Sequence, residues 1–107
     1  MLPKRFTLLG HEWAIEWLEE PLEEDGVGLF GHTSQRTQTI RVDDTSGLSR
    51  RQEVLLHELL HAIDGTMLGG SIELSEAQIN VLSEVLYVTL RDNPEVRRFI
   101  WGEDTDA

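Results

Sequence analysis

The chain has 107 residues, enough for one domain with a small core and too few for two. Its 20 acidic and 9 basic residues give a formal charge of −11, which disfavours phosphate backbones and argues against a direct nucleic-acid partner. There is no cysteine, so disulfides and thiolate metal sites are excluded and any metal rests on His, Asp, Glu or water.

Met1-Leu2-Pro3-Lys4-Arg5 is not followed by an apolar run of signal-peptide length. Charge or glycine interrupts every apolar stretch before it reaches bilayer-spanning length, so a cytoplasmic protein without a membrane partner is expected. Arg5 to Leu9 reads as a short strand, and Glu12 to Leu18 as a longer one with Trp13, Ile15 and Trp17 on one face. Glu19 to Gly28, acidic and carrying Pro21, Gly26 and Gly28, reads as a loop. Two more strands are predicted at Gly28 to Thr33 and Gln38 to Asp43, the second placing Ile40 and Val42 on one face and Thr39 and Arg41 on the other.

After the turn Asp44-Thr45-Ser46-Gly47 the pattern becomes helical. Ser49 with Gln52 has the spacing of a capping box, opening a helix to about Leu68 that Gly69-Gly70 ends. Ser75 with Gln78 repeats that spacing and opens a second helix to about Asp92, stopped by Asn93-Pro94. The stretch from Glu95 to Trp101 is expected to form a short helix covering the core, and Trp13, Trp17 and Trp101 to be core residues. The fold class is therefore α+β: a small antiparallel sheet of about four strands, then two long packed helices, in a single domain spanning residues 1–107.

The chemistry concentrates in His57-Glu58-Leu59-Leu60-His61. On a helix, four residues advance about 400°, so both imidazoles leave the same face one turn apart and can grip one ion. Glu58 sits about 100° round, placed to take a proton from a water at the metal rather than to ligate. Leu56, Leu59, Leu60 and Ile63 are expected to cover the opposite side and bury the helix. Two imidazoles and a carboxylate on such a helix need partners, and a metal ion supplies one. Asp64 is either a carboxylate that orients a ligand imidazole or an ordinary charge near a helix end.

On the second helix, Glu76 lies in the first turn, where the positive end of the dipole favours a carboxylate, and Asn80 follows one turn later on the same face. Glu84 competes as third ligand, but it lies roughly 12 Å further along the axis, so both cannot reach one ion. Tyr87, roughly 16 Å from Glu76, reads as packing. His32 is a candidate oxyanion stabiliser or a plain surface histidine, and His11 reads as exposed.

The stretch from Gln38 to Asp92 resembles the compact gluzincins, in particular the ImmA/IrrE-type metallopeptidases of phages, mobile elements and bacteria. In these, H-E-x-x-H on one helix is followed by Glu-x-x-Ala-Asn on the next; here that stretch is Glu76-Ala77-Gln78-Ile79-Asn80, with Ile79 in place of the small residue. The resemblance implies Zn2+ held by His57, His61 and Glu76, Glu58 as general base, Asn80 bracing a ligand histidine, and a protein or peptide substrate. The segment Gln38 to Asp43 is expected to be an edge strand along which an extended peptide could pair. The main alternative is a zinc-binding regulatory or interaction module with little or no activity; another is a non-peptide zinc hydrolase. A SprT-like protease acting with DNA fits poorly, because that class uses three histidine ligands and His61 is the last histidine here.

Overall fold

The computed structural model describes residues 2–24, 27–66 and 73–102. Six strands come first: β1 (Arg5–Leu8), β2 (His11–Leu18), β3 (Leu22–Glu24), β4 (Val27–Leu29), β5 (Gly31–Ser34) and β6 (Thr39–Asp43). Three helices follow: α1 (Leu48–Thr66), α2 (Glu76–Asp92) and α3 (Pro94–Trp101). The α+β class is as expected. Among the described residues no helix is long and apolar enough to cross a membrane.

The sheet differs from the expected one in hand of pairing. Its order is β1-β2-β6-β5, and β6 lies parallel to β2 while β1–β2 and β5–β6 are antiparallel, so the sheet is mixed. The cause is the long connection between β2 and β6. It is long enough to carry the chain back to the start of β2 and to insert β6 between β2 and β5. Thr39–Asp43 is therefore a central strand, and the edge beside the helices is β5. The expected loop at Glu19 to Gly28 instead contains the β3–β4 hairpin, and the strand expected over Gly28 to Thr33 is broken at Phe30. One side of that break pairs with β3 and the other with β6, and the carbonyl of Phe30 accepts from the Asp43 amide at 2.8 Å.

Alternation works as the sequence predicts. Trp13, Ile15, Ile40 and Val42 are buried with Ala62 of α1, and Val54, Leu55 and Leu59 pack onto them. The other face of the sheet is wet and carries the ion pairs Arg5–Glu12 at 2.9 Å and Arg41–Glu16 at 3.0 Å. The core stripe of α1 runs through Val54, Leu55, Glu58, Leu59 and Ala62, so Leu59 packs onto the core as expected while Ile63 stands exposed. Leu48 already belongs to α1, so Ser49 lies inside the first turn instead of capping it. Asp43 organises the entry, accepting from the Thr45 amide at 2.8 Å. The second capping box forms as expected: Ser75 Oγ accepts from the Gln78 amide at 3.1 Å, and Gln78 Oε1 accepts from the Ser75 amide at 2.8 Å. Gly69-Gly70, expected to end α1, and the return run to Glu76 fall partly outside the described residues.

The tail does form a helix, but among the described residues α3 packs only loosely, against the end of α2. It has no buried residue, and Trp101 is exposed, contrary to expectation; Trp13 is core, and Trp17 is half-buried with its indole N–H donating to the Pro3 carbonyl.

The β1–β2 hairpin turns on Leu9 and Gly10, both with positive φ (48° and 85°). This is the pattern of a two-residue turn that favours Asn-Gly, and leucine is strained at its first position. Leu9→Asn should stabilise the fold by about 1 kcal/mol, a rise in Tm of roughly 4 °C. An unchanged or lowered Tm in calorimetry would mean that the turn carries no such strain.

Candidate metal centre

α1 lies between two layers, and its polar stripe occupies the gap between them. On one side Val54, Glu58 and Ala62 face the sheet; on the other, α2 packs with Ile79 and Ser83 buried. His57 and His61 emerge between β5 and α2, one turn apart, with ring centroids 4.9 Å apart. α2 runs antiparallel to α1, since its start meets His61 while Tyr87 Oη donates to Gln52 Oε1 at 2.8 Å. Tyr87 is thus a packing and tethering residue.

Glu76 closes the group. Its two carboxylate oxygens lie 3.0 Å from His57 Nε2 and 2.7 Å from His61 Nε2. One atom from each of the three residues falls within 4.8 Å of the others, so this cluster could hold a metal ion. Bonds of about 2.0–2.1 Å in a tetrahedral arrangement need ligand atoms about 3.3 Å apart, a few tenths of an ångström wider than the two contacts to the carboxylate. The donor set is two imidazoles and one carboxylate with no thiolate, and it leaves a fourth position free for a water or substrate.

Two features hold Glu76 there although it is largely exposed. The Ser75–Gln78 box fixes the start of α2, and Asp64 Oδ1 accepts from the Leu74 amide at 3.0 Å. Asp64 therefore anchors the chain two residues before Glu76 rather than orienting an imidazole. The bracing expected from Asn80 is also displaced. Ser83, buried, puts its Oγ 3.5 Å from His57 Nδ1 and donates to the Asn80 carbonyl at 3.1 Å, whereas the Asn80 side chain is exposed. Glu84 lines the same hollow further along α2 but is not part of the His57, His61 and Glu76 group.

Glu58 is 6 % exposed and sits beside the cluster, its Oε2 3.9 Å from His57 Nε2. Its other oxygen accepts from Thr33 Oγ1 of β5 at 2.6 Å, and the same hydroxyl lies 3.2 Å from the Glu58 carbonyl. Thr33 was not legible as a site residue; the available signal was alternation, which points Gly31 and Thr33 toward α1. His32, opposite Arg41 in register, lines the hollow that also holds His61 and Glu76. Gly31 is fitted to the site by its lack of a side chain. A Cβ there would stand 2.7 Å from Val54 Cγ1 and 3.1 Å from Glu58 Oε2.

Two adjoining hollows of about 500 and 420 Å³ meet at the cluster, sharing Leu29, Gly31, His57, Glu58 and Glu76. They form one open cleft with α1 as floor, β5 and the Leu29–Phe30 bend as one wall and α2 as the other.

With Zn2+ as the probe, His57→Ala, His61→Ala and Glu76→Gln should each weaken binding beyond the roughly 10–100-fold that loss of an outer partner costs, measured by chelator competition. Ser83→Ala should fall within that lesser range, and Glu84→Gln should bind as the wild type does. Loss in Glu84→Gln with retention in Glu76→Gln would overturn the cluster. Gly31→Ala should cost about 1–3 kcal/mol in urea denaturation, because the stiff Val54 must move; a cost near zero would show that β5 backs away freely.

No protein-family model, no curated protein and no solved structure matches this chain, so what can be said of its function rests on the geometry of the cluster and its cleft.

Proposed function

We propose that the protein is a zinc-dependent metallopeptidase acting on an extended protein or peptide segment. The observation that carries this reading is the meeting of His57 Nε2, His61 Nε2 and the Glu76 carboxylate at one point, with a buried Glu58 carboxylate beside them rather than among them. Separation of three ligand groups from one non-ligating carboxylate is what metal-assisted hydrolysis of an amide requires. When bound, zinc supplies Lewis acidity toward a water and toward the scissile carbonyl oxygen.

The chain's own groups account for the rest. Glu58 Oε2 accepts a proton from the attacking water and later delivers it to the leaving amine. Thr33 occupies Oε1, so the oxygen left for proton transfer is the one nearer the histidines. The two hollows run together along α1, and among the described residues β5 is the edge strand beside them. An extended substrate that pairs with β5, not with Thr39–Asp43, would lie along the cleft across the cluster. A cytoplasmic location belongs to the same proposal and rests on the sequence.

Glu58→Gln removes the base and keeps its shape. It should retain Zn2+ and Tm while losing at least about 100-fold in kcat on an unfolded-protein substrate. Thr33→Val should lower kcat with little change in KM, and Thr33→Ser should restore it. Equal turnover by wild type and Glu58→Gln would rule out this chemistry. Stoichiometric zinc with no cleavage across a broad peptide library would favour the second reading, a metal-held binding module, which the exposed position of Glu76 in a shallow cleft also suits.

A further inference from the structure

Nine of the thirteen large apolar side chains that stand exposed among the described residues lie on α2 and α3. On α2 they form the side turned away from the cleft: Val81, Val85 and Val88 run along its middle, with Leu82 and Leu86 beside them. The spacing of four and then three residues keeps the three valines in one row. The neighbouring stripe, Glu76, Asn80 and Glu84, lines the cleft, and Glu84 stands one turn before Val88. The outer face of α2 is thus mainly apolar among the described residues, with Gln78, Thr89 and Asp92 at its ends.

α3 repeats the anomaly more sharply. Val96, Phe99 and Ile100 recur at the spacing of one helix face, yet Phe99 is 78 % and Ile100 60 % exposed. It is Arg97 that turns inward, donating to the Leu90 carbonyl at the end of α2. Eight residues do not sustain a helix in water unless an apolar face is packed, and here that face is the outer one. The molecule is also extended: its radius of gyration is 14.9 Å, against about 13 Å for a compact chain of this length.

We infer that this face is a homodimer interface, in which α2 packs against the α2 of a second copy about a two-fold axis and the α3 helices extend the contact. Area favours it. Weighted by exposure, the nine side chains present roughly 600 Å² of apolar surface, taking about 100 Å² per aliphatic and 200 Å² per aromatic side chain. A standard interface removes about 800 Å² from each partner, about 65 % of it apolar in homodimers.

Charge selects a second copy over other occupants. Residues 76–101 carry four acidic and three basic side chains, a net −1 of the chain's −11. Two of those acids, Glu76 and Glu84, face the cleft, and Asp92 is paired with Arg91 at 2.9 Å. Two copies can thus meet here without opposing their acidic surfaces, as they could not through the cleft. A basic partner would find no acidic row to read, and anionic headgroups repel so acidic a chain. A two-fold contact uses the same patch twice, so each copy brings a surface of equal size and equal lack of charge. This inference stands on the helices alone and is independent of the peptidase reading.

Sedimentation velocity on the full chain tests it. The wild type should sediment at twice the chain mass of 12.2 kDa, with a Kd of about 1 µM or tighter. Val85→Lys and Phe99→Lys should each weaken association at least tenfold with unchanged far-UV circular dichroism, since both side chains are exposed in the protomer. Leu9→Lys, exposed but far from this face in sequence and fold, should leave the dimer intact. Should Val85→Lys misfold, Phe99→Lys on the separate helix decides. A monomeric wild type overturns the proposal: co-flotation with phosphatidylcholine vesicles would then assign the face to a membrane, and its absence would leave a different protein partner. A dimer that survives both substitutions overturns it as well.

Discussion

α1 has to satisfy two neighbours at once, and the rest of the molecule follows from how it does so. Val54, Leu55, Leu59 and Ala62 go to the sheet, while α2 takes the other flank through Ile79 and Ser83. A helix pressed from two sides leaves a strip where neither neighbour reaches, and His57 and His61 lie in it. The imidazoles converge because the helical repeat puts them one turn apart on that strip. They meet a carboxylate because α2, lying antiparallel to satisfy its own apolar stripe, begins beside them. The cluster is a by-product of packing that the polar side chains then occupy.

Two glutamates in this cleft, Glu58 and Glu76, share one chemistry and differ by surroundings. Glu58 is buried against β5 and held by a hydroxyl, so one of its oxygens is committed and the other directed. Glu76 is exposed and held through the backbone: the cap at Ser75 and the Asp64 carboxylate on the Leu74 amide fix where its helix starts. Side-chain packing sets the first and chain geometry the second. This is how one residue type can close the cluster in one place and stand beside it in the other.

Helical spacing made the histidine pair, the place of Glu58 and both ends of α2 readable from local sequence, since each depends on residues within a turn of one another. Alternation likewise marked Trp13, Ile15, Ile40 and Val42 as core. What stayed hidden depended on long-range register. That Thr33 meets Glu58, that Ser83 rather than Asn80 backs His57, and that Asp64 bonds Leu74 are all decided by how separate elements slide past each other. The parallel partner of β6 was hidden for the same reason, because hydrophobic alternation is the same for either direction of pairing. The inverted α3 was misread because amphipathicity announces a face to be covered without saying by what.

That parallel pairing has a consequence for the order in which the molecule assembles. β1–β2, β3–β4 and β5–β6 are local hairpins that can close early, but β6 cannot join β2 until the connection between them has brought the chain back to the start of β2. Contacts of such sequence separation form slowly, because the loop entropy is lost before any contact rewards it. Thr33 reaches Glu58 through β5, which pairs with β6 and packs on α1 without help from β2. The cluster and the carboxylate beside it are therefore assembled from β5, β6 and the two long helices. The late pairing of β2 with β6 completes the core rather than the cluster.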